Sequence, residues 1–385
     1  MLAYDENDRL YEFENKDGYV ACSKCFKIYW QRLEEQIPGF REREYDICPY
    51  CGEEHGSSMS YDYINSKIKI EELKKIKKVS LYSKVVRYSH EEFTNSKCED
   101  CNHINYCPGT CEGICKNCLE EVHYPKKYPN GKKDYDCHRM MSFYVCDYAA
   151  KYMSEMLYLM EKSEALKQIN NYHVVSIGCG SCPDLMAFEK YCHEFPERKK
   201  TVSYVGIDVN EMWMPFHDVI NSYKTSTLKK TRFLYMDAVT EEYRDITQAN
   251  VIILQYVISH FYNTNQIDKI TVFFEKLIKK IISHRQKDEP FVLLINDVNS
   301  NNRGRDYFVK IIEMLKEAGF HGNQGMFYFD YYGIKNDFQR YGTKHDRNDI
   351  RVGLPAKFDD IYQPWRICSS AQLLVEVLEE EEHDN

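Results

Sequence analysis

The stretch that decides the fold is residues 173–184, which read His-Val-Val-Ser-Ile-Gly-Cys-Gly-Ser-Cys-Pro-Asp. The apolar, β-branched run at its start predicts a buried strand, and Pro183 suits the first turn of a helix. Glycines between them let the backbone turn sharply and approach a ligand. A strand, a glycine loop and a helix in this order predict a ligand site at the carboxyl end of a parallel strand.

Predicted strands alternate with helical patterns after this stretch. The further strands are residues 202–208, 232–237, 250–255 and 291–297. Such alternation predicts an α/β fold with a doubly wound, mostly parallel sheet. Ligands of such sheets lie at the carboxyl ends of the strands, so the residues that end each strand are candidates. They are Gly178, Gly180, Asp208, Asp237 and Gln255.

Two of these strand ends carry an acid that suits a nucleoside. Asp208, after the second strand, can accept both hydroxyls of a ribose. Asp237, after the third strand, suits the exocyclic amine of an adenine. A dinucleotide-dependent oxidoreductase is disfavoured, because Cys182 stands where the pyrophosphate requires a third glycine.

A glycine loop after the first strand and acids at the ends of the second and third strands follow one another in this chain. In this order of motifs, residues 140 to 378 resemble the class I S-adenosylmethionine-dependent methyltransferases. The resemblance implies a Rossmann-like sheet and S-adenosylmethionine as the cofactor. It also implies that the glycine loop supports the methionine end, the second-strand acid the ribose and the third-strand acid the adenine. The implied cofactor-binding residues are Gly178, Cys179, Gly180, Asp208, Asp237, Ala238 and Gln255.

The segment after the fourth strand, residues 255–261, resembles the family motif that borders the transferable methyl group. Methyl transfer needs little beyond in-line positioning, since the sulfonium is already an activated leaving group. A base is required only where the acceptor atom holds a proton. The candidate catalytic residues are His260, Tyr256 and Asp297. The segment lacks the two prolines that usually follow this strand in amino methyltransferases of nucleic acids, which weakens methylation of an exocyclic amine.

Two positions depart from the family pattern. Ser176 stands where the family usually has an acid before the glycines, and Cys182 stands where it usually has a third glycine. The cysteine is expected to narrow the room beside the ligand. A degenerate, non-catalytic cofactor fold is therefore an alternative to an active enzyme.

Cysteine pairs characterise the N-terminal half, where twelve of the 16 cysteines fall. Two C-x2-C pairs separated by 22 residues resemble a zinc ribbon, in which four thiolates surround one ion. A second set of two pairs repeats the pattern, which predicts two or more zinc ions. The predicted ligands are Cys22, Cys25, Cys48 and Cys51 for one ion, and Cys98, Cys101, Cys115 and Cys118 for another.

Other donors in this half are not assigned by spacing and leave a third site open. They are Cys107, Cys111, His123, Cys137, His138 and Cys146. The spacing Cys111-x3-Cys115-x2-Cys118 also matches the cluster motif of radical S-adenosylmethionine enzymes, but no long βα barrel follows it. An iron–sulfur cluster held for structure is the alternative to zinc at the second set, because thiolates suit both.

These patterns divide the chain into four parts. A leading helix is indicated by apolar residues at helical spacing from Met141 to Met160. We expect a cytoplasmic protein without a membrane partner, since no signal sequence and no bilayer-length apolar run is present. The four predicted parts of the chain are a zinc-ribbon-like module with a basic stretch (1–95), a second cysteine-rich module (96–138), the methyltransferase-like domain with its leading helix (139–378) and an acidic tail (379–385).

Charge gives the one indication of a macromolecular partner. The formal net charge of −9 argues against indiscriminate polyanion binding, yet residues 67–87 hold eight basic residues against two acids. Tyr82 and Tyr88 are interleaved there, and tyrosine can stack on unpaired bases. We therefore expect a nucleic-acid acceptor, with RNA favoured. The alternatives are a small-molecule or protein methyltransferase with structural zinc modules, or a zinc-bearing interaction protein without activity.

Overall fold

The structure is a computed structural model, whose described residues form two compact units. One unit comprises Met1–Ser80 with Val352–Gln363, and the other comprises Leu81–Arg351 with Pro364–Asn385. The described residues are 2–4, 10–12, 19–22, 27–30, 45–48, 50, 54–56, 80–96, 115–194, 200–239, 248–284, 289–300, 304–330, 342–354 and 358–378.

Short antiparallel strand pairs make up most of the described part of the first unit. They are β1 (Leu2–Tyr4) with β2 (Leu10–Glu12), β3 (Tyr19–Ala21) with β4 (Ile28–Trp30), and β5 (Tyr45–Ile47) with β6 (Glu54–Gly56). One helical turn, Phe358–Ile361, belongs to the same unit. The first predicted cysteine pair lies between β3 and β4, and the second lies between β5 and β6.

Three helices open the second unit: α1 (Leu81–Asn95), α2 (Cys115–His123) and α3 (His138–Glu161). The third is the leading helix expected from the sequence, and it is buried along most of its 24 residues. It holds α1 through Arg139, whose guanidinium donates to the Phe93 carbonyl oxygen at 2.7 Å. Helices α1 and α2 fall in the same compact unit as the sheet.

One eight-stranded sheet forms the centre of the second unit. Its strands are β7 (Asn171–Ile177), β8 (Thr201–Asp208), β9 (Leu228–Tyr235), β10 (Val251–Gln255), β11 (Phe291–Val298), β12 (Asn323–Tyr328), β13 (Thr343–Lys344) and β14 (Ser370–Val377). The order is β13-β12-β14-β11-β10-β7-β8-β9, and β7 to β11 are parallel. Strand β14 is antiparallel to both of its neighbours. The predicted mostly parallel, Rossmann-like fold is confirmed.

Helices connect these strands and cover both faces of the sheet. They are α4 (Ala165–Gln168), α5 (Pro183–Glu194), α6 (Met214–Ser222), α7 (Val257–Asn263), α8 (Ile267–His284) and α9 (Asp306–Glu317). On one face, strand residues such as Ile177 pack in a single buried cluster with Phe274 of α8 and Phe308 of α9. On the other face, Tyr172 packs on Phe188 of α5 at 5.2 Å between ring centroids. Each such side chain contributes about 1.5–3 kcal/mol when fully buried.

None of the described helices combines the length and the apolar character that crossing a bilayer requires.

Candidate cofactor site

The sheet register brings the predicted cofactor residues to one edge. The last paired residue of β7, Ile177, lies beside the residue before Asp208 on β8 and the residue before Gln255 on β10. Gly178 follows Ile177 directly. Three neighbouring strands therefore end side by side in Gly178, Asp208 and Gln255, at the edge where parallel sheets bind ligands.

The glycine loop has a backbone that favours glycine. Gly178 has φ +67° and Gly180 has φ +48°, both in the left-handed region. A Cβ at residue 178 would lie 2.8 Å from Cγ2 of Val257, which begins α7. The loop consequently lies against the segment after β10 with no room for a side chain at residue 178.

Asp208 holds this loop and keeps acceptor capacity. Its Oδ2 accepts the Gly180 N–H at 2.9 Å and its Oδ1 accepts the Asn210 N–H at 2.9 Å. Burial raises the pKa of Asp208 above its usual value. A carboxylate oxygen has a second lone pair, so both oxygens can still accept the hydroxyls of a ribose.

Asp237 lies in a turn just beyond β9. The strand ends at Tyr235, which pairs with Asp208, two residues earlier than predicted. Asp237 Oδ1 accepts the Val239 N–H at 2.9 Å, which closes the turn. Ala238 packs against the buried cluster on one face of the sheet. Both residues are close in sequence to the strand end that borders Asp208.

Gln255 has one unsatisfied polar atom. Its Nε2 donates to the Tyr152 carbonyl oxygen at 2.9 Å. Its Oε1 is buried and has no hydrogen-bond partner within the described part of the chain. Leaving a buried acceptor unsatisfied costs about 1–3 kcal/mol, so this atom suits contact with a ligand.

Tyr256, a candidate catalytic residue, belongs to a buried network. Its hydroxyl donates to Glu155 Oε2 at 2.7 Å and accepts from Lys151 Nζ at 3.1 Å. Burial, with the Glu155 carboxylate beside it, raises the pKa of Tyr256 well above its usual value. The hydroxyl therefore stays protonated and joins α3 to the start of α7.

Asp297, a second candidate, caps helix α7. It is fully buried and accepts backbone N–H groups of Ile258 at 2.8 Å, Ser259 at 3.2 Å and Val298 at 2.7 Å. Burial raises the pKa of Asp297 to about 6. A carboxylate at a helix N-terminus satisfies amides that lack partners within the helix. This geometry gives Asp297 a capping role.

His260 is the candidate with an exposed side chain. It lies on α7, one turn after Tyr256. Partial desolvation of the imidazole lowers the pKa of His260 below its usual value and outweighs the nearby carboxyl groups of Asp134 and Asp208, which raise it. An exposed imidazole that is mainly neutral at neutral pH can accept a proton from a substrate.

Ser176, the first of the two residues that depart from the pattern of the class I methyltransferases, lies beside a buried acid. Ser176 is buried and hydrogen-bonds to the carboxyl group of Asp184, the second residue of α5. Tyr204 donates to the same carboxyl group at 3.1 Å. The helix thus places a buried acid beside the position where the family carries one on the strand.

Cys182 adopts a glycine-like backbone, with φ +61°. Its side chain is fully buried, and its Sγ lies within 4.8 Å of the Cys179 Sγ and a ring nitrogen of His217. Cys179 also has a buried side chain, so neither sulfur lies on an open surface. The left-handed backbone of Cys182 directs its side chain into this group.

An aromatic group lies next to Asp208, and we call it the aromatic wall. Trp213 would contact a Cβ on Gly180 at 3.7 Å, and Asn210 Nδ2 donates to the Tyr135 carbonyl oxygen at 2.6 Å. Three of its tyrosines recur every fourth residue on α3, a pattern that also fits a packing face. The members of the aromatic wall are His123, Tyr135, Tyr144, Tyr148, Tyr152 and Trp213.

His123 makes the stability of this wall dependent on pH. Burial, and secondarily Lys151, lowers the pKa of His123 to about 4. An unfolded chain protonates a histidine near pH 6.5, so stability is lost as pH falls from about 6.5 to about 4. We expect a loss of up to about 3 kcal/mol in the free energy of unfolding across this window. In urea unfolding at several pH values, the free energy of unfolding should fall less steeply with decreasing pH for His123→Gln than for the wild type. His173→Gln, at an exposed position, should keep the pH dependence of the wild type.

The predicted zinc ligands are described in part. Cys22 of the first pair and Cys48 of the second pair lie in one buried cluster with Tyr29. Cys115 is buried at the start of α2, and Cys118 follows on the same helix. Outside the described residues lie Cys25, Cys51, Cys98, Cys101, Cys107 and Cys111.

Two of the described, unassigned donors of the N-terminal half, His123 and Cys146, have partners that are not metal donors. His123 Nε2 lies 2.9 Å from the Tyr135 hydroxyl, and Cys146 Sγ lies 3.9 Å from the Val86 carbonyl oxygen. Cys137 precedes α3, and His138 begins it. Within the described ranges these four residues form no group of three metal donors, so they do not make up a third site by themselves.

The two tyrosines that were predicted to stack on unpaired bases both pack against other parts of the protein. Tyr82 is buried at 6% exposure, and Tyr88 packs edge-on against Phe216 of α6 at 5.4 Å. The prediction that both can stack on bases was wrong for Tyr82, because this part of the stretch folds as α1 against the sheet domain. Residues 67–79 lie outside the described residues.

Comparison with known proteins gives similarity to methyltransferase structures. The methyltransferase domain of bacterial CtHen1-CN is 9% identical at TM-score 0.35, and the match covers 59% of this chain and all of that one. The plantazolicin methyltransferase BpumL with SAH is 12% identical at TM-score 0.33, covering 68% and 98%. Magnesium protoporphyrin IX methyltransferase from Synechocystis PCC 6803 with bound SAM is 11% identical at TM-score 0.32, covering 68% and 96%. No protein-family model and no curated protein sequence matches the chain.

Proposed function

We propose that the chain is an S-adenosylmethionine-dependent methyltransferase whose acceptor is a nucleic acid, with RNA favoured. The observation that carries the proposal is the joint placement of Gly178, Asp208 and Gln255 at adjacent strand ends. Asp208 offers ribose acceptors, and Gln255 has a buried oxygen that lacks a partner in the described residues. Both features fit a nucleoside ligand with donor groups.

The residues fit the cofactor in defined roles. Asp208 accepts the ribose hydroxyls, Asp237 and Ala238 border the adenine, and the backbone of Gly178 and Gly180 supports the methionine end. The cofactor supplies a methyl group on a sulfonium, which needs in-line positioning more than activation. The chain's own contribution is to fix the cofactor against the strand ends and to orient the acceptor beside it.

The acceptor is proposed from the aromatic wall and from His260. A half-buried tyrosine such as Tyr144 can stack on a planar base, because every nucleobase has a π face. His260 is exposed on α7 and can take a proton from a ring nitrogen or hydroxyl. The Tyr256 and Asp297 side chains already serve the buried network and the helix cap, so the proposal does not use them as bases.

Zinc in the N-terminal half completes the proposal. Each of the first two cysteine pairs lies between the strands of an antiparallel pair, and Cys22 and Cys48 share one buried cluster. A shared thiolate site would explain how strands of three residues stay folded, since such sites contribute folding energy outright.

RNA binding should depend on salt through the lysines of the basic stretch. We expect the affinity of the purified chain for a single-stranded or looped RNA to fall at least about tenfold between about 50 and 200 mM salt. Replacing Lys74, Lys75, Lys77 and Lys78 together by Gln should weaken binding and flatten the salt dependence. Replacing exposed lysines of α8, Lys276 and Lys279, by Gln is the matched control and should leave both unchanged.

Two outcomes would favour another acceptor. Equal affinities of the wild type and the four-lysine variant, or a wild-type affinity independent of salt, would favour a small molecule or a protein. Transfer of a labelled methyl group to cellular RNA, compared with protein and metabolite fractions, identifies the acceptor class directly. Cofactor binding without transfer to any fraction would favour the non-catalytic alternative.

A further inference from the structure

Two cysteines and a histidine form a buried group behind the glycine loop. Cys179 and Cys182 lie on the loop between β7 and α5, and His217 lies on α6. Their sulfur and ring-nitrogen atoms all lie within 4.8 Å of one another, and no side chain is more than 4% exposed. Within the described ranges, no other three such donors come together. We propose that this group binds one zinc ion, separate from the cysteine pairs of the N-terminal half.

The loop is folded so that both sulfurs reach the same place. The Cys182 N–H donates to the Cys179 carbonyl oxygen at 2.8 Å, which closes a tight turn. The positive φ of Cys182 is unusual for a residue with a side chain and directs its sulfur inward. On β8, a Cβ at Gly206 would lie 2.8 Å from the Cys179 Sγ, so the glycine leaves space for this sulfur.

The imidazole of His217 is held in a fixed orientation. It stacks on Phe233 with ring centroids 3.8 Å apart and an interplanar angle of 7°. Its Nδ1 lies 2.8 Å from the Tyr235 hydroxyl, and its Nε2 lies 3.9 Å from the Cys179 Sγ. Its Nε2 also lies 2.8 Å from the Gly180 carbonyl oxygen, which can only accept, so without a metal Nε2 carries the proton and Nδ1 accepts from the Tyr235 hydroxyl. Metal binding requires the other tautomer, in which Nδ1 carries the proton and donates to Tyr235 and the lone pair of Nε2 faces the metal. Metal-bound histidines commonly have a hydrogen bond of this kind on their second nitrogen.

The donor set suits zinc. Two thiolates and a neutral imidazole are typical zinc ligands, and soft sulfur donors disfavour magnesium and calcium. The two thiolate charges balance the charge of Zn²⁺, so the bound group is neutral overall and its burial costs little. The Gly180 carbonyl oxygen borders the group, 2.8 Å from His217 Nε2 and 3.7 Å from the Cys182 Sγ. Three protein ligands leave the fourth position of a zinc ion to water. On binding, the thiols release their protons to solvent.

The ion would tie the glycine loop to helix α6. Gly180, whose carbonyl oxygen borders the group, donates its N–H to Asp208 Oδ2 at 2.9 Å. A metal at this point would fix the backbone that Asp208 also holds. This positioning effect on cofactor binding rests on the proposed function, whereas metal binding itself does not.

Zinc content of the full-length protein tests the proposal. We expect Cys179→Ala and Cys182→Ala each to hold about one zinc ion per chain less than the wild type. Cys192→Ala removes another buried cysteine, on α5, and should keep the wild-type content. Cys48→Ser removes a predicted ligand of the N-terminal half. The double variant Cys48→Ser with Cys182→Ala should lack both the loop ion and the ion that Cys48 is proposed to bind. The zinc contents of these variants therefore test the loop site and the N-terminal site independently.

A second variant distinguishes loss of the metal site from loss of the fold. Tyr235→Phe removes only the hydroxyl that orients His217, so the fold should persist while the affinity for Zn²⁺ falls about tenfold or more. With Co²⁺ as the probe, sulfur-to-metal absorption should be weaker in Cys182→Ala than in Cys192→Ala. Equal zinc contents in the wild type, Cys179→Ala and Cys182→Ala would overturn the proposal. So would a Cys179–Cys182 disulfide found by mass spectrometry in the unreduced protein.

Discussion

Asp208→Asn should lose most of the affinity of the chain for S-adenosylmethionine and S-adenosylhomocysteine. The carboxylate accepts two backbone N–H groups of the site and is proposed to accept the ribose hydroxyls. An amide has only one acceptor atom, so at least one of these hydrogen bonds is lost. Hydrogen bonds to a charged group contribute about 1.5–3 kcal/mol, which corresponds to about a 10- to 150-fold weaker Kd.

Calorimetry with the two ligands measures this loss. Asp218→Asn is the matched control, because it makes the same change on the exposed side of α6 and should bind like the wild type. Equal affinity of Asp208→Asn and Asp218→Asn would refute the assignment of Asp208 as the ribose acid. A thermal unfolding curve of each variant shows whether the loss is local.

Glu155→Ala should destabilise the second unit strongly. Glu155 is fully buried on α3, and its carboxylate accepts from the Tyr256 hydroxyl, from Asn296 Nδ2 at 3.1 Å and from the Ser369 N–H at 2.9 Å. Lys151 Nζ lies 3.6 Å away. Removing the carboxylate leaves the donors of Asn296 and Ser369 without this acceptor and the buried Lys151 cation without an opposite charge, which costs about 3–5 kcal/mol.

Urea unfolding of the full chain gives the free energies to compare. Glu161→Ala is the matched control on the same helix, where the carboxylate pairs with Arg351 near the surface and its loss should cost at most about 1 kcal/mol. Glu155→Gln should fall between the two, because its amide keeps one acceptor oxygen. A Glu155→Ala variant as stable as Glu161→Ala would show that the buried network does not hold α3 to the sheet.

The central strands were predictable because their signals are local. Residues 291–295 form a continuous apolar run, and β11 occupies Phe291–Val298. The position of β14 was not predictable in the same way. Its pairing with β11 joins residues far apart in the chain, such as Phe291 and Val377, and no local pattern specifies an antiparallel strand inserted there.

The candidate site shows the same division. Gly178 and Gly180 have the left-handed backbone that their residue type allows, and Asp208 ends its strand as predicted. The partners of Tyr256 and Asp297 could not be predicted, because sequence spacing does not show which buried groups meet in space. Tyr256 bonds to Glu155, which is 101 residues earlier in the chain.

Cysteine spacing was used to predict metal sites in the N-terminal half of the chain and was overlooked in the C-terminal half. Cys179 and Cys182 also have C-x2-C spacing, but they lie inside the glycine motif and were interpreted only as part of it. Their third partner, His217, follows 35 residues after Cys182 on α6, and nothing in the sequence links the two. The fold brings them together because β7 and β8 are neighbours in the sheet.

A crystal structure of the full chain with S-adenosylhomocysteine tests the central claim most directly. The account predicts one ligand at the carboxyl ends of β7, β8 and β10. Its ribose hydroxyls should lie within hydrogen-bond distance of the Asp208 carboxylate, and its adenine beside Asp237 and Ala238. A saturated crystal with no ligand at these strand ends, or with the ligand bound elsewhere, would contradict the account.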